Sequence, residues 1–299
     1  MTGLAAIVPA TDAPVTLERC LAAIRAADEP PDEVIVVDAA DLPGPAAARN
    51  EGARRTTAEL LAFVDADVEP HPDAFARIRA AFAADPTLDA VFGSYDDDPA
   101  DPGLVSRFRN LLHHHVHHEG AGPATTFWAG LGAVRHDAFL AVGGFNAERY
   151  QAASIEDVEL GLRLGRVELD PRIQGRHLKA WTLPEMMCTD FARRGLPWAE
   201  LLLERGGSNA LNLGPRHRLS ALAALGLVAG LRRPRLAVAS TTTLLVLNRR
   251  FYVLLLRREG PVRAAGGVGL HVVHHLTGVA AAATALGRSA RGRGATRRR

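Results

Sequence analysis

Two pairs of carboxylates and one histidine are the residues of this chain best placed to do chemistry. Asp65 and Asp67 flank Ala66 directly after the apolar run "ELLAFV". In an extended segment alternate side chains share a face, so both carboxylates can address one cation. A hard divalent ion, Mg²⁺ or Mn²⁺, held by one or two carboxylates and by phosphate oxygens suits a nucleotide diphosphate. The competing reading is a solvated turn. His177, in "QGRHLKAW", closes another extended stretch, and its neutral imidazole either completes a metal site with Asp67 or is purely structural. Glu156 and Asp157 stand at the head of the amphipathic stretch "EDVELGLRL". Carboxylates in a first helical turn stay ionised, which suits a base that takes the proton of an incoming hydroxyl. Ser154 followed by an acid three residues on equally fits a capping box, so helix capping competes with catalysis for this pair. The run "HHHVHH" at 113–118 pairs His113 with His117 and His114 with His118 on a helix. No neighbouring acid or cysteine completes a metal site there, which predicts a solvated or acceptor-facing helix surface.

The elements that must hold these residues follow from hydrophobic periodicity. "LAAIVPA", "DEVIVVD", "ELLAFVDAD" and "DAVFGSY" read as short buried strands. Between them, Val15 to Ala26, "GPAAARNEGARRTT" and "PHPDAFARIRAAFAADP" read as helices. Strands alternating with helices predict an α/β fold, a doubly wound and mostly parallel sheet with helices on both faces. In such sheets ligands bind beyond the carboxyl ends of the strands, and Pro9, Asp38 and Asp65 to Asp67 all fall there. Further on, "LVSRFRNLLHHHVHH" predicts a helix, "TTFWAGLGAV" a strand and "ELDPRIQGRHLKAW" an extended segment. Residues 183–205 read as helical with a break at Pro197.

Composition narrows the class. With 299 residues, 47% of them hydrophobic, the chain has material for one domain and an appendage. Cys20 and Cys188 are too few for a disulfide framework or a zinc site. The glycine patterns of P-loop and dinucleotide-binding proteins are absent as strand-to-helix loops. The start "MTGLAAIVPA" has no basic segment ahead of its apolar run, so a cytoplasmic location is expected for the bulk of the chain. The formal net charge of +2 conceals a split. Residues 216–299 hold 16 Arg against one acid, Glu259, whereas residues 1–215 hold 19 basic and 32 acidic residues. Three apolar runs interleave with those arginines, none a clean bilayer span of about 20 residues. A basic, apolar tail of this kind suits an anionic membrane surface better than nucleic acid, for it lacks interleaved aromatic platforms. The expected division is therefore a catalytic domain at 1–215, an apolar, Arg-rich helical membrane-associated region at 216–287 and a basic disordered tail at 288–299.

Taken in order, "AIVPATDAPVTLERCLAAI", "DEVIVVD", "GPAAARNEGARR", "ELLAFVDADVEPHPDA", "FWAGLGAVRHDAFLAVGGF" and "SIEDVELGLRL" resemble a family 2 glycosyltransferase of the GT-A fold over roughly residues 4–190. The resemblance implies that Pro9 and Asp38 line a nucleotide pocket with Arg49 and Asn50 nearby. It also implies that Asp65 and Asp67 form the metal and diphosphate motif, and that Asp157 is the base. Three departures stand out. Ala39-Ala40-Asp41 replaces the usual second acid and Gly-Ser turn, the following connection is short, and Leu131 and Gly132 stand where relatives carry polar residues. The nucleotide is therefore left open among UDP, GDP and dTDP. The Q-x-x-R-W pattern of processive synthases is missing, which favours single additions. The expected function is transfer of one sugar from a nucleotide diphosphate donor to an acceptor hydroxyl, free or lipid-linked, with inversion. A divalent metal would take part, at the cytoplasmic side of the cell membrane. A non-catalytic sugar-nucleotide sensor or membrane scaffold on the same fold is the alternative, and the altered loop after Asp38 is its support.

Overall fold

A computed structural model describes residues 3–205 and 214–296. Two compact units divide the chain: residues 1–102 with 113–180, and residues 103–112 with 181–299. The composition changes at 215, but the chain divides at 180/181.

The first unit is built on one mixed sheet. Its strands are β1 (Leu4–Pro9), β2 (Glu33–Val37), β3 (Leu60–Val64), β4 (Val68–Pro70), β5 (Ala90–Tyr95), β6 (Gly122–Ala124), β7 (Leu131–Arg135) and β8 (Val167–His177). The order is β2-β1-β3-β7-β5-β8-β4, with β6 also on β8. β1 pairs parallel with β2 and β3, and β5 parallel with β8, while β7 runs antiparallel between β3 and β5. Every residue of β3 is buried, as a continuous apolar strand covered on both faces requires. Around the sheet lie α1 (Leu17–Arg25), α2 (Pro45–Arg54), α3 (Ala74–Ala84), α4 (Leu104–Glu119), α5 (His136–Ala141) and α6 (Glu156–Gly161). α4 gives its first turns to the second unit and its histidine-rich end to the first.

Two segments depart from the expected pattern. "TTFWAGLGAV" is a strand only from Leu131 onward, because the chain folds back over Trp128. A Cβ on Gly130 would lie 2.4 Å from the indole ring, so only glycine admits this approach. α2 is entered through Gly44, whose φ of 93° favours glycine, followed by Pro45 at the first helical position.

The second unit is helical. It contains α7 (Leu183–Cys188), a π-helical stretch at Thr189–Gly195, α8 (Leu196–Arg205), α9 (Pro215–Ala229), a 3₁₀ turn at Gly230–Arg232, α10 (Pro234–Leu247) and α11 (Arg249–Thr296). The break expected at Pro197 takes the form of a change of winding, from π to α, one residue earlier. α11 kinks at Gly260, φ 71°, just before Pro261. Phe108, Leu111, Met186, Phe251, Leu255, Ala264 and Leu270 form its main core. Residues 288–296, expected as a disordered tail, continue α11, while 297–299 lie outside the described residues. Among the described residues one helical segment, Arg249–Arg291, is long and apolar enough to cross a membrane; its most apolar window has a mean hydropathy of 1.2 and is 28% buried.

Candidate active site

Asp65 follows the last residue of β3, and its backbone N–H donates to the Gly130 carbonyl at 3.0 Å, on the segment leading into β7. The Asp65-Ala66-Asp67 segment then turns, with Val68 N–H donating to Asp65 O at 2.9 Å, before β4 begins. This turn is the reason the two carboxylates do not share one face as an extended segment would have them do. Asp65 accepts from the Arg49 guanidinium at 2.6 Å. Asp67 instead faces His177, its Oδ2 lying 3.8 Å from Nε2, longer than a direct hydrogen bond. Register places this pair: β4 runs antiparallel to β8 with Val68 opposite His177, and Leu178 N–H donates to Asp67 O at 2.8 Å.

The environment of the Asp67–His177 pair suits a cation. Burial pushes the Asp67 carboxyl up, but the His177 imidazole and the Lys179 ammonium outweigh it and hold its pKa below the usual carboxylate value. His177 is buried, and its Nδ1 has no hydrogen-bond partner. The ring is held by stacking on Tyr95, centroids 4.2 Å apart and 19° from parallel. Tyr95 in turn contacts the rings of His113 and Trp128. Among the described residues no group of three or more His, Cys, Asp or Glu converges as a ready-made metal cage. One carboxylate and one imidazole remain, a donor set that fits an ion drawing its other ligands from phosphate oxygens. Asp65, spoken for by Arg49, stands beside that set.

Arg49 is the hinge of the site. It is buried on α2 and gives one nitrogen to Asp65 and the other to Glu156, at 3.0 Å. Its guanidinium also lies over the Phe145 ring, 5.4 Å from the centroid. Desolvation works against its charge, but Asp65, Glu156 and Asp157 more than compensate and hold it protonated. Burial raises the pKa of Asp65 despite Arg49, with Asp67 adding to the rise. One guanidinium thus ties the turn after β3 to the first residue of α6.

The acid pair at that helix start divides its roles. Glu156 is buried, with Oε1 on Arg49 and Oε2 accepting the Ser154 N–H at 2.8 Å. Asp157 is half-buried; its Oδ1 accepts the Val158 N–H at 2.7 Å and its Oδ2 the Ala129 N–H at 3.3 Å. The expected capping box is not formed. Ile155, not Ser154, is the residue before the helix, and no side chain caps it. Of the expected catalytic pair, Glu156 is committed to a buried ion pair, leaving Asp157 as the acid with an accessible carboxylate.

The remaining expected residues separate. Pro9 and Asp38 lie at neighbouring strand ends, where Pro9 pairs with Val37 and Ala10 N–H donates to Val37 O at 2.8 Å. Asp38 is exposed. Asn50 is turned toward the Gly143-Gly144-Phe145 segment: its amide donates to Phe145 O at 2.8 Å and accepts from Phe145 N at 2.9 Å. Both of its polar ends therefore fix a loop that packs on Arg49. The histidine run is not a solvated surface. His115 and His117 are buried, His117 Nδ1 lies 2.8 Å from Gly93 O, and His114 Nδ1 lies 2.9 Å from Tyr95 O. His113, His114 and His117 pack against β5, His113 on the Tyr95 ring. Tyr95 and Trp128 escaped the sequence reading as site residues, and His113 entered it only as part of a helix surface; the one hint is an aromatic closing the strand "AVFGSY".

Comparison with known proteins bears on the fold. Residues 40–143, from the loop after β2 to the end of α5, match glycosyl transferase family 2. Among solved structures the chain is similar to a mannosyltransferase from Pyrobaculum calidifontis in complex with GDP-Man and Mn²⁺. The identity is 17%, the TM-score 0.51, and the match covers 95% of this chain and 86% of that one. It is also similar to S. aureus TarS 1-349 with UDP-GlcNAc, at 13% identity and TM-score 0.47, covering 92% and 90% of the two chains. A third is glucosyl-3-phosphoglycerate synthase from Mycobacterium tuberculosis with Mn²⁺ and UDP-glucose, at 15% and 0.43, covering 69% and 80%. No curated protein matches the chain. The fold is GT-A, and residues 40–143 within it match the family 2 glycosyltransferase model.

Proposed function

We propose that this enzyme moves a single sugar from a nucleotide diphosphate donor to an acceptor hydroxyl with inversion at the anomeric carbon. The observation that carries the reading is the Arg49 bridge, which binds the turn bearing Asp65 and Asp67 to the helix start bearing Asp157. Two acidic motifs far apart in sequence are thus tied together through one guanidinium. Asp157 takes the proton of the acceptor hydroxyl as its oxygen forms a bond to the anomeric carbon. The bond from that carbon to the diphosphate breaks, and the leaving group departs with the electron pair. The amide hydrogen bonds to Asp157 hold its carboxylate in place. A divalent cation, Mg²⁺ or Mn²⁺, would be held by Asp67 and His177 and would supply positive charge to the diphosphate. Pro9 and Asp38 lie where a nucleotide base would rest.

The acceptor we assign is a hydroxyl compound presented at a membrane, lipid-linked or glycan. The support is the Arg-rich apolar region, and positive flanks favour the cytoplasmic face. A screen of nucleotide sugars for hydrolysis and transfer tests the reading. Turnover of one donor, dependent on Mn²⁺ or Mg²⁺, is the expected result; binding of a donor with no turnover under any acceptor or metal would contradict it.

A further inference from the structure

The helical hairpin of α9 and α10 is built inside out for a water-soluble surface. Apart from Leu244, its buried positions are small or polar: Ser220, Ala223, Ala224, Gly230 and Ser240. The Asn248 amide that follows α10 is buried too, and it donates to Ser220 Oγ at 2.9 Å. The outward positions are large and apolar, with Leu222 63%, Val238 66% and Val246 63% exposed, and Leu219, Val228 and Leu245 close to half. Single exposed leucines are ordinary on soluble proteins, but a contiguous apolar face around a polar seam is not. Two of the exposed threonines turn their polarity onto the helix backbone: Thr241 Oγ1 donates to Ala237 O and Thr243 Oγ1 to Ala239 O, each at 2.9 Å. That arrangement leaves methyl groups outward and satisfies the hydroxyls without water.

The seam itself is of the kind that holds helices together where there is no hydrophobic drive between them. Gly226 and Gly230 are four residues apart, and a Cβ on either would collide with α10, 2.3 Å from Ser240 Oγ and 2.7 Å from Ala237 N respectively. Small residues with one buried hydrogen bond are the packing mode of lipid-embedded helices. Charge completes the description. Arg216 and Arg218 precede the first apolar run, Arg232, Arg233 and Arg235 lie at the bend, and Arg249 and Arg250 follow the second. No acid occurs between 216 and 258. At about 1.5 Å per residue, helices of 15 and 14 residues reach roughly 22 and 21 Å, short of the ~30 Å hydrocarbon layer.

We infer that the α9–α10 hairpin is a lipid-embedded docking element, its outward face in the acyl region of an anionic bilayer and its arginine-flanked ends among the phosphates. Helices with basic residues at both ends and apolar flanks lie within the interface without crossing it. A second copy of the chain is the rival occupant, and the uniform positive charge of the hairpin opposes it. The inference rests on the membrane reading proposed above and is independent of the sugar-transfer site.

The test uses the full-length protein with Cys188, the exposed thiol, replaced by Ser; Cys20 is buried. Single cysteines at Leu222, Val238 and Val246 carry an environment-sensitive dye, with Val15, fully exposed on the first unit, as control. Vesicles of phosphatidylcholine with phosphatidylglycerol, with and without brominated acyl chains, are added. The expected result is a blue shift and bromine quenching at the three hairpin sites, none at Val15, and both weakened when phosphatidylglycerol is omitted. If wild-type protein fails to sediment with the vesicles, the membrane reading itself falls. If it sediments but the hairpin dyes stay water-like and unquenched, the hairpin inference alone is overturned. A blue shift already present without vesicles, with doubled solution mass, assigns the face to a second copy and overturns it as well.

Discussion

Asp67 and Asp65 look interchangeable in sequence, yet the structure gives them different partners and so different consequences when removed. Asp67→Ala leaves His177 as the one remaining cation donor, so metal-dependent binding of a nucleotide diphosphate is expected to vanish. Calorimetric titration in Mn²⁺ reads this directly, and an unchanged affinity would exclude the site. Arg49→Ala acts otherwise. It strands Asp65 and the buried Glu156 without their shared cation, which is expected to lower stability by about 3–5 kcal/mol in denaturant unfolding. A loss below about 1 kcal/mol, as for a surface pair, would contradict the bridge. The sequence raises the pairing of Asp67 with His177 as one of two readings of that imidazole; the antiparallel register of β4 on β8 brings the two side chains within 3.8 Å. The bridge was not legible, because its partners stand 16 and 107 residues away and no local pattern joins them. Ser154 misled for a related reason: the capping-box spacing was present, but Glu156 folds back on the Ser154 amide and the helix starts one residue late.

At the scale of elements, periodicity found the long strands and helices and missed what has no period. β4 and β6 are three residues each, too short for alternation to register. The antiparallel course of β7 is decided by pairing with β3 and β5, which a strand's own sequence does not encode. The histidine run read as polar from composition, but His114 and His117 meet the Tyr95 and Gly93 carbonyls and His113 packs on the Tyr95 ring, so these rings are turned toward the sheet. The helical hairpin offers a test of element packing. In an open helix end Gly230→Ala would be neutral or stabilising by up to about 1 kcal/mol. Here the new Cβ meets Ala237 backbone at 2.7 Å, so destabilisation of about 1–3 kcal/mol is expected from overpacking. Thermal unfolding in detergent and in buffer checks the sign; a stabilised variant would mean that α9 and α10 do not approach as closely as described.

The chain comprises an α/β unit and a helical one, and the shift in charge at 215 falls within the helical unit. The central claim is nevertheless chemical: Asp157 is the base of a sugar transfer, with Glu156 holding the ion pair beside it. Asp157→Asn keeps the size of the side chain and an oxygen that can accept the Val158 amide. It cannot take a proton at neutral pH. Donor affinity, melting temperature and transfer rate measured on one sample of this variant test the claim most directly. The account predicts wild-type donor affinity, a melting temperature nearly unchanged and a transfer rate reduced about 10²- to 10⁴-fold. A variant that melts earlier by the equivalent of about 1 kcal/mol yet transfers sugar at the wild-type rate would reduce Asp157 to a helix-start residue and contradict it.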